Sequence, residues 1–124
     1  MDNLQESLPI YIRIVRGIEE AILSEQIKEE EQIPSTTYLS KTYSINIATV
    51  NKALNILVEE GLVYKKRGIG MFVKKGALNS LIKQRKKTFK ENYIKATLIE
   101  AKRIRYSVEE LQEIVKEVYK EMEQ

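Results

Sequence analysis

The stretch PSTTYLSKTYSINIATVNKALNILVEEGLVYKKRGIGMFV, residues 34–73, decides the fold. Ser35 is a good N-cap, since its hydroxyl can accept from an otherwise orphan backbone N–H, and it opens a helix predicted over Thr36 to Thr42. Asn46 can cap a second helix from Ile47 to about Glu60. Val50, Ala53-Leu54 and Leu57-Val58 make its buried stripe. Gly61 supplies the left-handed residue that ends it. Leu62 to Lys66 and Met71 to Lys74 then read as strands around a turn at Gly68-Ile69-Gly70. A helix-turn-helix followed by a basic β-hairpin is the outline of a winged helix, a fold that meets DNA.

Charge is distributed as that outline requires. The formal net charge of the 124 residues is +3. Residues 1–34 carry three basic and eight acidic side chains, whereas residues 35–76 carry seven basic against Glu59 and Glu60. Residues 77–124 hold eleven basic and eight acidic. Positive charge is thus concentrated on the segment that reads as the DNA-contacting part.

Upstream, Ile10, Ile14, Ile18 and Ala21-Ile22 recur at helical spacing. They predict a first helix from Pro9 to about Gln26, capped by Ser7 or a neighbour and packed behind the other two. Downstream, Leu78, Ile82, Phe89, Tyr93, Ala96-Thr97, Ala101 and Ile104 predict a long helix from Leu78 to about Arg105. Ser107-Val108-Glu109-Glu110 is a capping box that starts another, with a stripe of Val108, Leu111, Ile114-Val115, Val118 and Met122. Two amphipathic helices with no third layer cannot bury their apolar faces alone; a second copy of the pair would bury both, and folding back on the chain's own winged helix is the alternative. The sequence therefore predicts a mainly α protein with a small β-hairpin. Residues 1–76 form a winged helix-turn-helix domain and residues 77–124 a two-helix dimerisation extension. Leu78, Ile82, Phe89, Tyr93, Thr97, Ala101, Ile104, Leu111, Val115 and Val118 are its expected dimer contacts. The basic run Lys83, Arg85, Lys86, Lys87 and Lys90 reads as a solvated face.

The absences exclude whole classes. There is no cysteine and no histidine, so disulfides, thiolate metal sites and thiol or imidazole catalysis are out, and no cofactor is implied. No apolar run is long enough to span a bilayer, and the N-terminus lacks the zones of a signal peptide. A soluble, cytoplasmic protein that is not an enzyme is expected.

Residues 8–75 resemble the GntR family of bacterial transcriptional regulators, and within it the short-tailed YtrA-like branch. The likeness rests on Pro9-Ile10-Tyr11 with Ile18 and Ile22, on Pro34-Ser35, and on Tyr43-x-x-Asn46-x-x-Thr49-Val50. It continues through Glu60-Gly61-Leu62-Val63 and Arg67-Gly68-Ile69-Gly70, with a weaker echo at Ala101-Lys102-Arg103 and Ser107 to Leu111. The resemblance implies a homodimer bound to double-stranded operator DNA as a repressor, with recognition-helix contacts from Asn46, Ile47, Ala48, Thr49, Asn51 and Lys52. Asn51 is suited to a base edge and Lys52 to a phosphate. Ser35 and Thr36 would meet the DNA backbone. Lys65, Lys66 and Arg67 would do so at a wing tip whose Gly68 and Gly70 let the chain approach closely. The chain departs from the family at several points. Thr37 stands where many members have arginine, Ile47 and Asn51 where long-tailed members have arginines, and Met71 where threonine is usual. Glu25 and Glu30 stand where two glycines are usual, which predicts a loop path of its own. With these cations absent, a winged helix used for protein–protein contact is the alternative reading. The short tail leaves no room for an enclosed metabolite pocket, so an effector, if one exists, would sit at the dimer interface or hinge.

Overall fold

The computed structural model describes residues 7–123, so the first six residues of the predicted DNA-binding region lie outside the described part. The described residues divide into two compact units, the first ending at Gln84 and the second beginning at Arg85. In the first, helix α1 spans Ile10–Leu23, α2 Thr36–Tyr43 and α3 Ile47–Glu59. Strands β1 (Val63–Lys66) and β2 (Gly70–Val73) follow, and then α4, Ala77–Phe89, which crosses into the second unit.

Each helix begins where the local chemistry places it. Ser35 Oγ accepts from the Tyr38 N–H at 3.0 Å, and Asn46 Oδ1 from the Thr49 N–H at 3.0 Å, so both predicted caps form. At α1 the N-cap residue is Pro9, where the sequence predicts Ser7 or a neighbour as cap and Pro9 near the first turn. It has no side-chain cap bond; its fixed φ, here −53°, orients the chain for the first turn. Between α2 and α3, Ser44 takes a left-handed φ of 54°, and Ser40 Oγ donates to the Ile45 carbonyl at 2.5 Å. The turn of the helix-turn-helix is thus held by a serine hydroxyl, not by a glycine.

The core is one apolar cluster. Ile14, Val15, Ile18 and Ile22 of α1 meet Leu39 of α2 and Val50, Ala53, Leu54 and Leu57 of α3, with Leu62, Val63 and Val73 closing the hairpin side. Val58 is exposed, contrary to the predicted stripe, because it lies about 100° further round the helix than Leu57. Ala77 and Leu81 complete the cluster, so the first turns of α4 belong to the winged-helix core. Leu78 and Ile82, expected to serve dimerisation, are half-buried on this same segment, and Leu78 lines a surface hollow with Ile22, Ile27 and Glu29.

The strands pair antiparallel in the register Val63–Val73, Tyr64–Phe72, Lys65–Met71 and Lys66–Gly70. Gly70 is therefore the first residue of β2, and the turn is Arg67-Gly68-Ile69, one residue earlier than predicted. Leu62 and Lys74 fall outside the strands; the Lys74 N–H instead bonds the Leu62 carbonyl at 2.9 Å. A third segment pairs along the other edge of β2. Ile33 N–H bonds Met71 O, Val73 N–H bonds Glu31 O, and Gln32 bridges Phe72. Nothing in residues 30–33 has strand periodicity, so only tertiary pairing defines it.

In the acidic loop the two positions where glycine is usual in the family hold unusual backbone angles. Glu25 and Glu30 themselves hold φ of 60° and 71°, the left-handed conformation glycine would supply. In the second unit, the predicted continuous helix carries a π-helical insertion at Lys90–Ile94 before α5, Lys95–Arg103. Helix α6, Val108–Met122, opens with the predicted capping box: Ser107 Oγ accepts from Glu110 N–H at 3.1 Å and Glu110 Oε1 from Ser107 N–H at 2.9 Å.

Candidate nucleic-acid interface

Burying Val50, Ala53, Leu54 and Leu57 turns the opposite side of α3 outward. That side presents Ile47, 51% exposed, together with Ala48, Asn51 and Lys52. Asn55, one turn beyond Asn51, is exposed on the same side and was not among the residues the sequence pattern singled out; the i, i+4 spacing alone could have found it. Asn46 and Thr49 are engaged with each other: Thr49 Oγ1 donates to Asn46 Oδ1 at 2.9 Å. Asn46 is therefore a cap, and the Thr49 hydroxyl proton is committed to it.

Helix α2 packs against α3, and its start carries Ser35, exposed, and Thr36, half-buried. Ser35 Oγ is occupied by the Tyr38 N–H. The exposed Tyr38, on the first turn of α2, was not singled out by sequence and stands next to Thr37.

Strand alternation separates the wing's cations. Lys65 shares a face with Val63 and Met71. Lys66 shares the other face with Tyr64 and Phe72, and its ammonium lies 4.4 Å from the Phe72 ring centroid. Tyr64 and Phe72 stack at 6.1 Å between centroids. The Tyr64 hydroxyl donates to Glu30 Oε2 at 2.6 Å, and because only the protonated phenol can make this bond, it holds Tyr64 above its usual pKa, with desolvation and the carboxylate's charge acting in the same direction. Lys66 thus braces the aromatic side of the hairpin, while Lys65, Arg67 and the tip stay open. At the tip, Ile69 N–H bonds the Lys66 carbonyl at 3.0 Å with Gly68 at φ 78°. Gln32 Nε2 donates to the Ile69 carbonyl at 3.0 Å and lies where a side chain on Gly70 would have to be.

In the second unit, the described residues leave most apolar side chains uncovered. Phe89, Tyr93, Ile104, Val115 and Val118 are between 41% and 64% exposed, and Thr97 is exposed as well. Leu111 is half-buried and Ala101 buried. Phe89 and Tyr93 pack ring to ring at 5.7 Å across the start of the π-helical insertion. Among the described residues, no cluster of acidic, cysteine or histidine side chains could hold a metal ion, and no helix is long and apolar enough to cross a membrane.

Three packed helices, an outward-facing capped α3 and a hairpin with an open basic tip define a winged-helix DNA-binding regulator. The chain belongs to the GntR family: the family of bacterial regulatory proteins, gntR type, matches residues 10–73. It is 30% identical over 114 residues to the HTH-type transcriptional repressor YtrA of Bacillus subtilis (strain 168), covering 92% of this chain and 87% of YtrA. A crystal structure of a GntR-family regulator from Bacteroides thetaiotaomicron superimposes with a TM-score of 0.76 at 29% identity, over 92% of this chain and 99% of that one. The DNA-binding domain of AraR, solved in complex with operator ORR3, matches 53% of this chain and 80% of its own with a TM-score of 0.52 and 32% identity. The protein is a transcription regulator and not an enzyme.

Proposed function

We propose that this regulator is a repressor that binds an inverted-repeat operator as a homodimer. The observation that carries the reading is the outward side of α3, where Ile47, Ala48, Asn51 and Lys52 stand exposed on a capped helix start. A recognition helix enters the major groove by its first turns, so these side chains meet base edges while Lys52 meets a phosphate. Ser35, Thr36, Asn46 and Thr49 line the approach, and Lys65, Arg67, Gly68 and Gly70 bring the wing to the sugar–phosphate wall. Lys66 acts through the hairpin it braces. The operator complex of the AraR domain supports DNA as the partner, and the repressor YtrA supports the sign of regulation.

Residues 77–124 supply dimerisation. Their exposed apolar side chains, Phe89, Tyr93, Ile104, Val115 and Val118 among them, have a self-complementary cover in the same surface of a second copy. A two-fold dimer carries two α3 helices, so the operator has half-sites about one helical turn apart or a multiple of it.

Selecting bound fragments from genomic DNA and measuring their affinity against salt tests the reading. Recovered fragments should share an inverted repeat, and affinity should fall steeply as salt rises. Inserting about five base pairs between the half-sites turns one of them to the far side, and affinity should drop towards that of a single half-site. Binding indifferent to sequence, or tight binding that survives the insertion, would refute it. No retention of any fragment would favour a winged helix that contacts protein.

A further inference from the structure

The ammonium of Lys52 lies over the ring of Tyr11, 4.0 Å from its centroid. Tyr11 belongs to the first turn of α1 and packs, half-buried, against the core, whereas Lys52 is exposed on the second turn of α3. One side of the pair is thus anchored in the rigid body of the domain, and the other stands on the helix proposed to meet DNA. The nature of the partner matters. A carboxylate beside Lys52 would neutralise it and compete with a phosphate, but among the described residues none is paired with it. A neutral ring holds the cation by its quadrupole and leaves the full charge facing outward. An untethered lysine would lose many rotamers on binding DNA, and the ring removes part of that loss beforehand.

We infer that Tyr11 is a positioning residue for DNA binding, its ring holding the Lys52 ammonium pre-aimed at a backbone phosphate beside α3. This inference rests on the DNA-binding reading above. It explains how a chain lacking the family's arginines at Thr37, Ile47 and Asn51 makes a single recognition-helix lysine more effective. The phosphate carries no base identity, so the effect is on affinity for any duplex and not on discrimination.

A double-mutant cycle on a random-sequence duplex of about 30 base pairs tests it. Tyr11→Leu should weaken binding about two- to fivefold, the scale of an exposed cation–π contact, while Tyr11→Phe should stay within about twofold of wild type. In a Lys52→Ala background, Tyr11→Leu should cause no further loss. Thermal melts of each variant restrict the comparison to folded protein. In the free protein, the Lys52 ε-methylene protons should be shifted upfield by the ring current and return to ordinary lysine positions in Tyr11→Leu. Two outcomes overturn the inference: Tyr11→Phe falling as far as Tyr11→Leu, which would assign the effect to the hydroxyl, or a Tyr11→Leu loss that persists without Lys52. An absent ring-current shift overturns it too, with no DNA involved. A wild-type protein that shows the shift yet binds no duplex would refute the DNA-binding reading, and this inference with it. A wild type that binds with a flat cycle refutes this inference alone.

Discussion

Glu29 caps the helix that begins beside Leu78. Its Oε2 accepts from the Leu78 N–H at 3.2 Å and its Oε1 from the Gly76 N–H at 2.8 Å. A carboxylate at a helix start satisfies orphan donors and faces the positive end of the helix dipole. The loop after α1 is thereby tied to the root of α4, and the core contacts of Ala77 and Leu81 depend on that root. Glu29→Ala should lower stability by about 0.5–2 kcal/mol, or several degrees in Tm. Glu29→Gln, which keeps an acceptor, should lose less. Equal melting temperatures for Glu29→Ala and wild type would show that the cap is energetically idle.

Gly68 and Gly70 should respond differently to the same replacement. Both have positive φ, 78° and 143°, but a side chain at Gly68 meets open space while one at Gly70 collides with Gln32 Nε2. Gly68→Asn, a residue that tolerates the left-handed region, should cost under about 1 kcal/mol. Gly70→Asn should cost more, about 1–3 kcal/mol, and break the Gln32–Ile69 bond that holds the tip. Urea titrations of both variants check the order, and reversed costs would contradict the geometry.

Glu25 and Glu30 offer a stabilising change and a control. Both bear left-handed strain of about 1–2 kcal/mol. Glu25→Gly should raise the urea midpoint, with a gain of about 1 kcal/mol after the extra chain entropy of glycine. Glu30→Gly should gain less, because it also removes the acceptor of the Tyr64 hydroxyl. The Tyr64 pKa is raised in the folded protein. Its contribution is therefore complete below the ordinary phenol pKa of about 10 and is lost as pH rises through the higher folded value. The gap between the two glycine variants should accordingly narrow in strong alkali, a trend that melts across alkaline pH would detect.

Within the recognition helix, Asn51→Ala should reduce discrimination between an operator and its mutated form by the about 1–3 kcal/mol of a lost base contact. Lys52→Ala and Arg67→Ala should weaken operator and random DNA alike and flatten the salt slope. Lys66→Ala, whose ammonium lies over the rings of Phe72 and Tyr64, should act chiefly on the stability of the hairpin. Competition binding with both DNA types separates the roles. A uniform loss in Asn51→Ala would remove it from base reading.

A charge placed in the second unit should split the proposed dimer. Leu111 is half-buried and Val118 exposed on α6, so Leu111→Glu or Val118→Glu would bury an unpaired carboxylate in the proposed interface, at about 3–5 kcal/mol. Sedimentation should give twice the 14.4 kDa chain mass for wild type and the single mass for the variants. A chain ending at Gln84, which retains Ala77 and Leu81, should be monomeric. A dimer in that shortened chain would place the interface elsewhere.

What the sequence by itself determined were the features whose partners lie within one helical turn. Ser35, Asn46 and Ser107 each find their backbone donor three residues on, and the alternation around Gly68 and Gly70 leads to a hairpin. The core stripe of α3 and the outward placement of Ile47, Ala48, Asn51 and Lys52 follow from the 3.6-residue period in the same way. Tertiary structure alone decided the contacts that no period encodes. Glu29 reaches Leu78 across 49 positions and Tyr64 reaches Glu30 across 34. Residues 31–33 become a sheet edge only because β2 runs beside them, and Lys52 meets Tyr11 only because α1 crosses α3. Lys65 and Lys66 are neighbours of one charge type, and the strand register sends one to the aromatic rings and leaves the other free of them. Local patterns specify where a helix or strand begins. Which side chains meet depends on the path of the chain between them, and that is settled by packing of the whole core.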